Sequence, residues 1–129
     1  MLFSNSKYPY SSSNLSMPLL QVSDFHCFFK TPSGIAKAVD GVSIQINERE
    51  VLGVVGESGC GKSVLALSIL QLLPIPPAFF AGGSIIFKDK NLLNLSKNEL
   101  VKIRGNQISM IFQEPMSALN PVYTIGNQI

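Results

Sequence analysis

Lys62 and Ser63 place an ammonium and a hydroxyl side by side, directly after three closely spaced glycines, Gly56, Gly59 and Gly61. Gly56, Gly61, Lys62 and Ser63 satisfy G-x-x-x-x-G-K-[ST] at every fixed position. Residue types and spacing point to one chemistry. Glycines let a backbone adopt positive φ and approach a ligand with no Cβ in the way. The freed N–H groups of Gly56, Glu57, Ser58, Gly59, Cys60, Gly61, Lys62, Ser63 and Val64 then form a nest for an anion. A helix beginning near Lys62 adds the positive end of its dipole to the same spot. Lys62 can reach β- and γ-phosphate oxygens, and Ser63 can ligate Mg²⁺.

Such a loop needs a strand before it and a helix after it. Val51 to Val55 is apolar at four of its five positions, as expected of a buried parallel strand. Val64 to Leu73 is apolar nearly all round and is expected to be a helix buried on most sides. Pro74, Pro76 and Pro77 end it.

Upstream, Leu19–Val22 and Phe25–Lys30 have strand-like composition, and Thr31-Pro32-Ser33-Gly34 is a turn signal. Ile35–Val39 and Val42–Ile46 read as further strands, the latter alternating as a half-exposed antiparallel strand does. Asn47 to Glu50 is a polar turn. Downstream, Gly83–Lys88 is a short strand, followed by a turn at Asp89-Lys90-Asn91. Ser96 and Glu99 have capping-box spacing, so a helix starts after Ser96 and ends near Gly105. Gln107–Phe112 is expected to be a second apolar strand with Gln113 at its carboxyl end, where open α/β sheets place ligand-binding residues. Pro115 and Pro121 bracket a loop, and residues 1–18, with six serines, read as a flexible leader without chemistry.

The bulk numbers narrow the function. The chain has 129 residues, 46% apolar and 14% charged, which suits one well-buried domain rather than disorder. A net charge of +2 is too small to imply a nucleic-acid partner. The two cysteines, Cys27 and Cys60, give neither a disulfide framework nor metal-ligand spacing, so a reducing compartment is the default. With His26 the single histidine, a histidine-based catalytic pair is excluded within the chain. Prolines and glycines interrupt the most apolar stretch, Val64 to Phe87, so no helix of bilayer length is expected.

Three stretches together resemble the ABC ATPases, and within them the ATP-binding subunits of dipeptide and oligopeptide importers. These are Phe29-Lys30-Thr31-Pro32 with Ala38 to Ser43, the Gly-Glu-Ser-Gly form of the loop with Val64 to Ser68, and Ile108 to Met116 with Leu119-Asn120-Pro121. The loop is shared by many NTPases, whereas the segment around Gln113 is specific to this family, which disfavours another phosphate-loop enzyme such as a kinase. The implied fold class is α/β: the amino-terminal part of a P-loop NTPase core with an antiparallel β subdomain, over residues 19–129. The resemblance implies ATP and Mg²⁺ as cofactors. It implies Phe29 as the aromatic that stacks on adenine, with Ser63 and Gln113 as metal-associated residues. Gln113 would also approach the attacking water, the catalytic role, since an amide can accept and donate at once. Glu57 takes part through its backbone, because a carboxylate aimed into the loop would repel phosphate, and Glu114 is read as a surface or interface residue.

Transmembrane permease subunits, a second ATP-binding subunit and, indirectly, a solute-binding protein are the implied partners. The implied location is peripheral, on the cytoplasmic face of the membrane. Two positions depart from the family pattern: Arg49 where glycine is usual, and Cys60 where serine is usual. Nothing after Gln113 resembles the signature sequence, the acidic strand or the switch histidine. An incomplete cassette that hydrolyses ATP very slowly or not at all on its own is therefore expected, and the alternative reading is a nucleotide-binding fragment without transport function.

Overall fold

The computed structural model describes residues 17–113 and 119–129; the leader expected over 1–18 falls almost wholly outside them, as do Glu114 and Pro115. The main body is an antiparallel sheet in the order β2-β1-β3-β4, built from β1 (Leu20–Thr31), β2 (Gly34–Ile46), β3 (Ala78–Phe87) and β4 (Lys90–Asn91). Among the described residues two α-helices, α1 (Lys62–Ile69) and α2 (Lys97–Ile103), accompany it.

The two strand candidates before Thr31 are one strand, broken in register where Ser23-Asp24 interrupts the apolar pattern. Asp24 takes φ 44°, and its N–H donates to the Ser43 hydroxyl at 2.9 Å. The bulge changes which residues face inward, so that Leu20 and Val22 before it and Phe25 and Cys27 after it are all buried. β2 is likewise continuous, with its irregularity at Asp40-Gly41 opposite the bulge in β1. His26 spans the seam on the outer face. Its Nδ1 lies 2.9 Å from an Asp40 carboxylate oxygen and its Nε2 3.2 Å from one of Asp24, while the Lys37 ammonium donates to Asp40 at 3.2 Å.

β3 begins five residues earlier than the sequence pattern implies. Its first residues pair with β1 as Phe28↔Phe79 and Phe29↔Ala78, and Gly83 fits against the bulge. A Cβ on Gly83, at φ 85°, would collide with the backbone of Asp24 and Phe25, so glycine is required there by space as well as by conformation. Lys88 and Asp89, both at positive φ, turn β3 into β4.

Phe25, Ile85, Leu92, Val22, Cys27 and Ser68 are the most deeply buried side chains. Each large apolar member contributes about 1.5–3 kcal/mol by leaving water. Cys27 is packed beside Ser68 of α1, and burial pushes its thiol pKa up against the opposing effect of the Ser68 hydrogen bond.

α2 carries the expected capping box in full: Ser96 Oγ accepts from the Glu99 N–H, and the Glu99 carboxylate accepts from the Ser96 N–H. The Ser96 hydroxyl, which donates to the Glu99 carboxylate at 2.6 Å, and then the Ser96 N–H hold that carboxyl below its ordinary pKa. α1 is shorter than expected and less enclosed, with only Leu65 and Ser68 buried along it. It ends in a Schellman motif: the Leu72 N–H donates to Leu67 O at 2.9 Å and the Gln71 N–H to Ser68 O at 3.0 Å. Gln71 occupies the left-handed position at φ 49°.

Two expected strands do not form. Residues 51–55 run extended into the loop without a ladder partner, and Val51 is 96% exposed. Residues 107–112 make a single bridge, Arg104↔Ile108, and Ile111 is 91% exposed. A parallel strand draws its stability from neighbours on both sides, and among the described residues no strand lies beside either segment. Gln113 is consequently an exposed residue in a bend rather than the end of a strand. Among the described residues no helix is long and apolar enough to cross a membrane.

Candidate functional site: the glycine loop before α1

Gly61 is the N-cap of α1, at φ 94°, and its carbonyl accepts the first helical bond from the Leu65 N–H at 2.9 Å. No side chain caps this end. The first-turn amides of a helix have no intrahelical acceptor, so here the helix presents N–H groups and its positive dipole end to whatever occupies the loop. The loop is shaped by the Cys60 N–H donating to Glu57 O at 3.3 Å and by Gly59 at φ 80°. Gly61 is pressed against β2, where a Cβ would collide with the carbonyl oxygen of Ala38.

Lys62 folds back over the loop. Its ammonium donates to Gly56 O at 2.8 Å and to Glu57 O at 2.7 Å, and lies 3.5 Å from Cys60 Sγ. Ser63, one residue on, is exposed. The Glu57 side chain is exposed too, as expected of a residue contributing backbone rather than carboxylate. Cys60 packs close to Gly56, where a Cβ would lie 2.7 Å from its sulfur.

Beside the loop, a cleft of about 280 Å³ is lined by Lys37 to Val42 of β2 and by Cys60. That is near the lower end for small-molecule clefts, about 300 Å³. The cleft had no signal in the sequence, because it arises from the close approach of Gly61 to β2. Phe29 pairs with Ala36, one residue before the cleft begins, and is half-buried against the core. Phe28 lies across the sheet from it, edge-on to Phe79 and His26. The structure thus gathers residues 56–63 into one loop, sets Phe29 on the strand next to the cleft wall, and leaves Gln113 exposed, with no hydrogen bond to the loop among the described residues.

The ABC transporter family profile matches residues 39–128, about 70% of the chain. The chain belongs to the ABC transporter family. A probable peptide ABC transporter ATP-binding protein of Sinorhizobium fredii is 51% identical to this ABC family member over 111 residues, covering 86% of this chain and 33% of the relative. The oligopeptide transport ATP-binding protein OppD of Bacillus subtilis is 46% identical over 111 residues, covering 86% and 31%. The dipeptide transport ATP-binding protein DppD of the same organism is 50% identical over 111 residues, covering 86% and 33%. The chain spans about a third of the length of these relatives. Its fold is that of an α/β P-loop NTPase unit with a four-stranded antiparallel sheet, as the resemblance implied.

The donor set fits a nucleotide and its magnesium. Backbone amides at an uncapped helix end, the Lys62 ammonium over the loop and the adjacent, exposed Ser63 hydroxyl supply donors for phosphate and an oxygen for the metal, and among the described residues no carboxylate is hydrogen-bonded within the loop. Among the described residues there is no cluster of three or more histidine, cysteine or acidic side chains to hold a metal by itself. A hydroxyl plus phosphate oxygens is how Mg²⁺ is usually held in such loops.

Proposed function

We propose that the chain forms the nucleotide-cradling part of an ATP-binding subunit in an ABC importer of di- or oligopeptides. The observation that carries the proposal is the uncapped amino end of α1, with the Lys62 ammonium held over the loop. In this reading the amides of residues 59–64 and Lys62 bind the β- and γ-phosphates. Ser63 and Gln113 hold Mg²⁺, which neutralises phosphate charge during phosphoryl transfer. Lys62 exchanges its contacts with Gly56 O and Glu57 O for phosphate oxygens. The cleft against β2 takes the nucleoside, with Phe29 stacking on adenine. Gln113 orients the attacking water and reports the occupied loop to a permease. The likeness to peptide, oligopeptide and dipeptide transport proteins supports peptides as the transported solute. A second ATP-binding subunit, transmembrane permease subunits, a solute-binding protein acting indirectly and a peripheral place on the cytoplasmic membrane face complete the reading.

The test is binding of labelled ATP with Mg²⁺ to the purified chain and to Lys62→Ala. Loss of signal in the variant alone supports the reading, and equal binding by both sinks it.

A further inference from the structure

We propose that Arg104 is a positioning residue that ties the far end of the phosphate-loop helix to the segment carrying Gln113, so that nucleotide on the loop alters that segment. The inference rests on the nucleotide reading above. The guanidinium reaches back more than thirty residues in sequence: Nε donates to Leu70 O and Nη2 to Gln71 O, each at 2.8 Å. Leu70 is the C-cap of α1 and Gln71 the residue just beyond it, and the helix has no basic residue in its own last turn. Arg104 therefore supplies both the hydrogen bonds and the positive charge that this end calls for.

The attachment is stiff on both sides. On the α1 side, Gln71 is fixed in the left-handed region, and its side-chain amide donates to the Leu92 carbonyl. On the other side, Arg104 caps α2 and enters a tight turn. There the Gln107 and Ile108 N–H groups donate to Ile103 O at 2.8 and 3.1 Å, and the Gly105 N–H donates to Ile108 O at 2.9 Å. From Ile108 the chain runs five residues to Gln113 with no ladder partner among the described residues, so this stretch can respond to a shift at Arg104. α1 is an eight-residue rod, about 12 Å long, with the loop at one end and the arginine fork at the other. A planar fork on two successive carbonyls transmits both displacement and rotation, which a single ammonium cannot do.

The experiment is amide hydrogen exchange over Ser109–Gln113 in the whole chain, with and without Mg-ATP, for wild type, Arg104→Ala and Arg104→Lys. In wild type, ATP changes exchange there at least threefold. In Arg104→Ala, ATP affinity stays within threefold of wild type while the ATP-induced change falls to less than a third of its wild-type size. Arg104→Lys lies between. An arginine that merely stabilises the fold would raise exchange across the chain equally with and without ATP, which counts against the proposal. An ATP-bound Arg104→Ala with the full wild-type change overturns it, as does wild type that binds ATP with no change at this segment. If Arg104→Ala fails to fold, Arg104→Lys decides: an ATP-induced change smaller than wild type at unaltered affinity supports the proposal, and the full wild-type change overturns it. Equal ATP binding by wild type and Lys62→Ala instead removes the nucleotide reading itself, and the relay with it.

Discussion

Gly61 lies so close to Ala38 that a single added carbon would meet the Ala38 carbonyl oxygen. This contact seats the glycine loop on β2 and opens the cleft beside Cys60. Gly59 has similar φ but open space around its missing Cβ.

The two glycines should therefore respond differently to alanine. Gly59→Ala incurs only the left-handed conformational cost, about 1–2 kcal/mol. Gly61→Ala adds overpacking against β2, a further cost of about 1–3 kcal/mol. Thermal unfolding of both variants should show Gly61→Ala clearly less stable. ATP binding should be lost in Gly61→Ala and only weakened in Gly59→Ala. Equal destabilisation would mean the loop does not rest on Ala38.

Arg49 occupies φ 61° at the third position of the Asn47–Glu50 turn, which is closed by the Glu50 N–H donating to Asn47 O at 3.3 Å. A non-glycine residue there carries left-handed strain. Arg49→Gly should stabilise the chain by about 1 kcal/mol, read as a higher melting temperature. A lower melting temperature would show that the arginine side chain offsets the strain.

The cysteines should differ in reactivity. Cys27 is buried with a raised thiol pKa, whereas Cys60 is exposed on the loop. A thiol-alkylating reagent should add one label to the native chain, at Cys60, and a second only on unfolding. Labelled chain should bind ATP poorly, and bound ATP should slow the labelling. Mass spectrometry of the labelled peptides checks the first expectation, and unchanged ATP affinity after labelling at Cys60 would refute the second.

Phe29 and Phe28 separate stacking from packing. Phe29→Leu keeps an apolar body against the core but removes the aromatic face, so ATP should bind roughly tenfold more weakly with little loss of stability. Phe28→Leu should leave ATP affinity unchanged. Isothermal titration of both variants decides between them, and the reverse pattern would move the stacking role to Phe28.

Asp40 contributes to stability on the acid side. Its carboxyl is held below the ordinary carboxylate value, first by the His26 hydrogen bond and then by Lys37. A depressed folded-state pKa means the contribution is whole above the unfolded value, about 4, and disappears as pH falls through the folded value. The stability gap between wild type and Asp40→Asn should therefore be constant near neutrality and close below about pH 4. Melting curves from pH 7 to pH 3 would show it, and a gap independent of pH would exclude the link.

β1, β2 and the second half of β3 were legible from strand-like composition bounded by glycine, proline or polar turn signals, whereas the first half of β3 was not. Lys90–Asn91, expected to lie in a turn, is β4 because the reversal falls one residue earlier, at Lys88-Asp89. The bulge at Ser23-Asp24 was visible as a break in the apolar pattern of β1. The loop was legible because its glycines and Lys62 are constrained locally. Val51–Val55 and Gln107–Phe112 misled because apolar content marks a strand that neighbours could bury, and does not supply the neighbours. Arg104 was silent for a different reason: its acceptors are backbone carbonyls of Leu70 and Gln71, far away in sequence, and a carbonyl leaves no trace in residue type.

The grip of Gly56 and Glu57 on Lys62 makes the loop's own backbone a competitor of the ligand proposed for it. An incoming solute must outbid two neutral oxygens already seated on the cation. On the proposed reading that exchange favours polyphosphates over singly charged ions, because the attraction gained at Lys62 grows with the valence of the visitor.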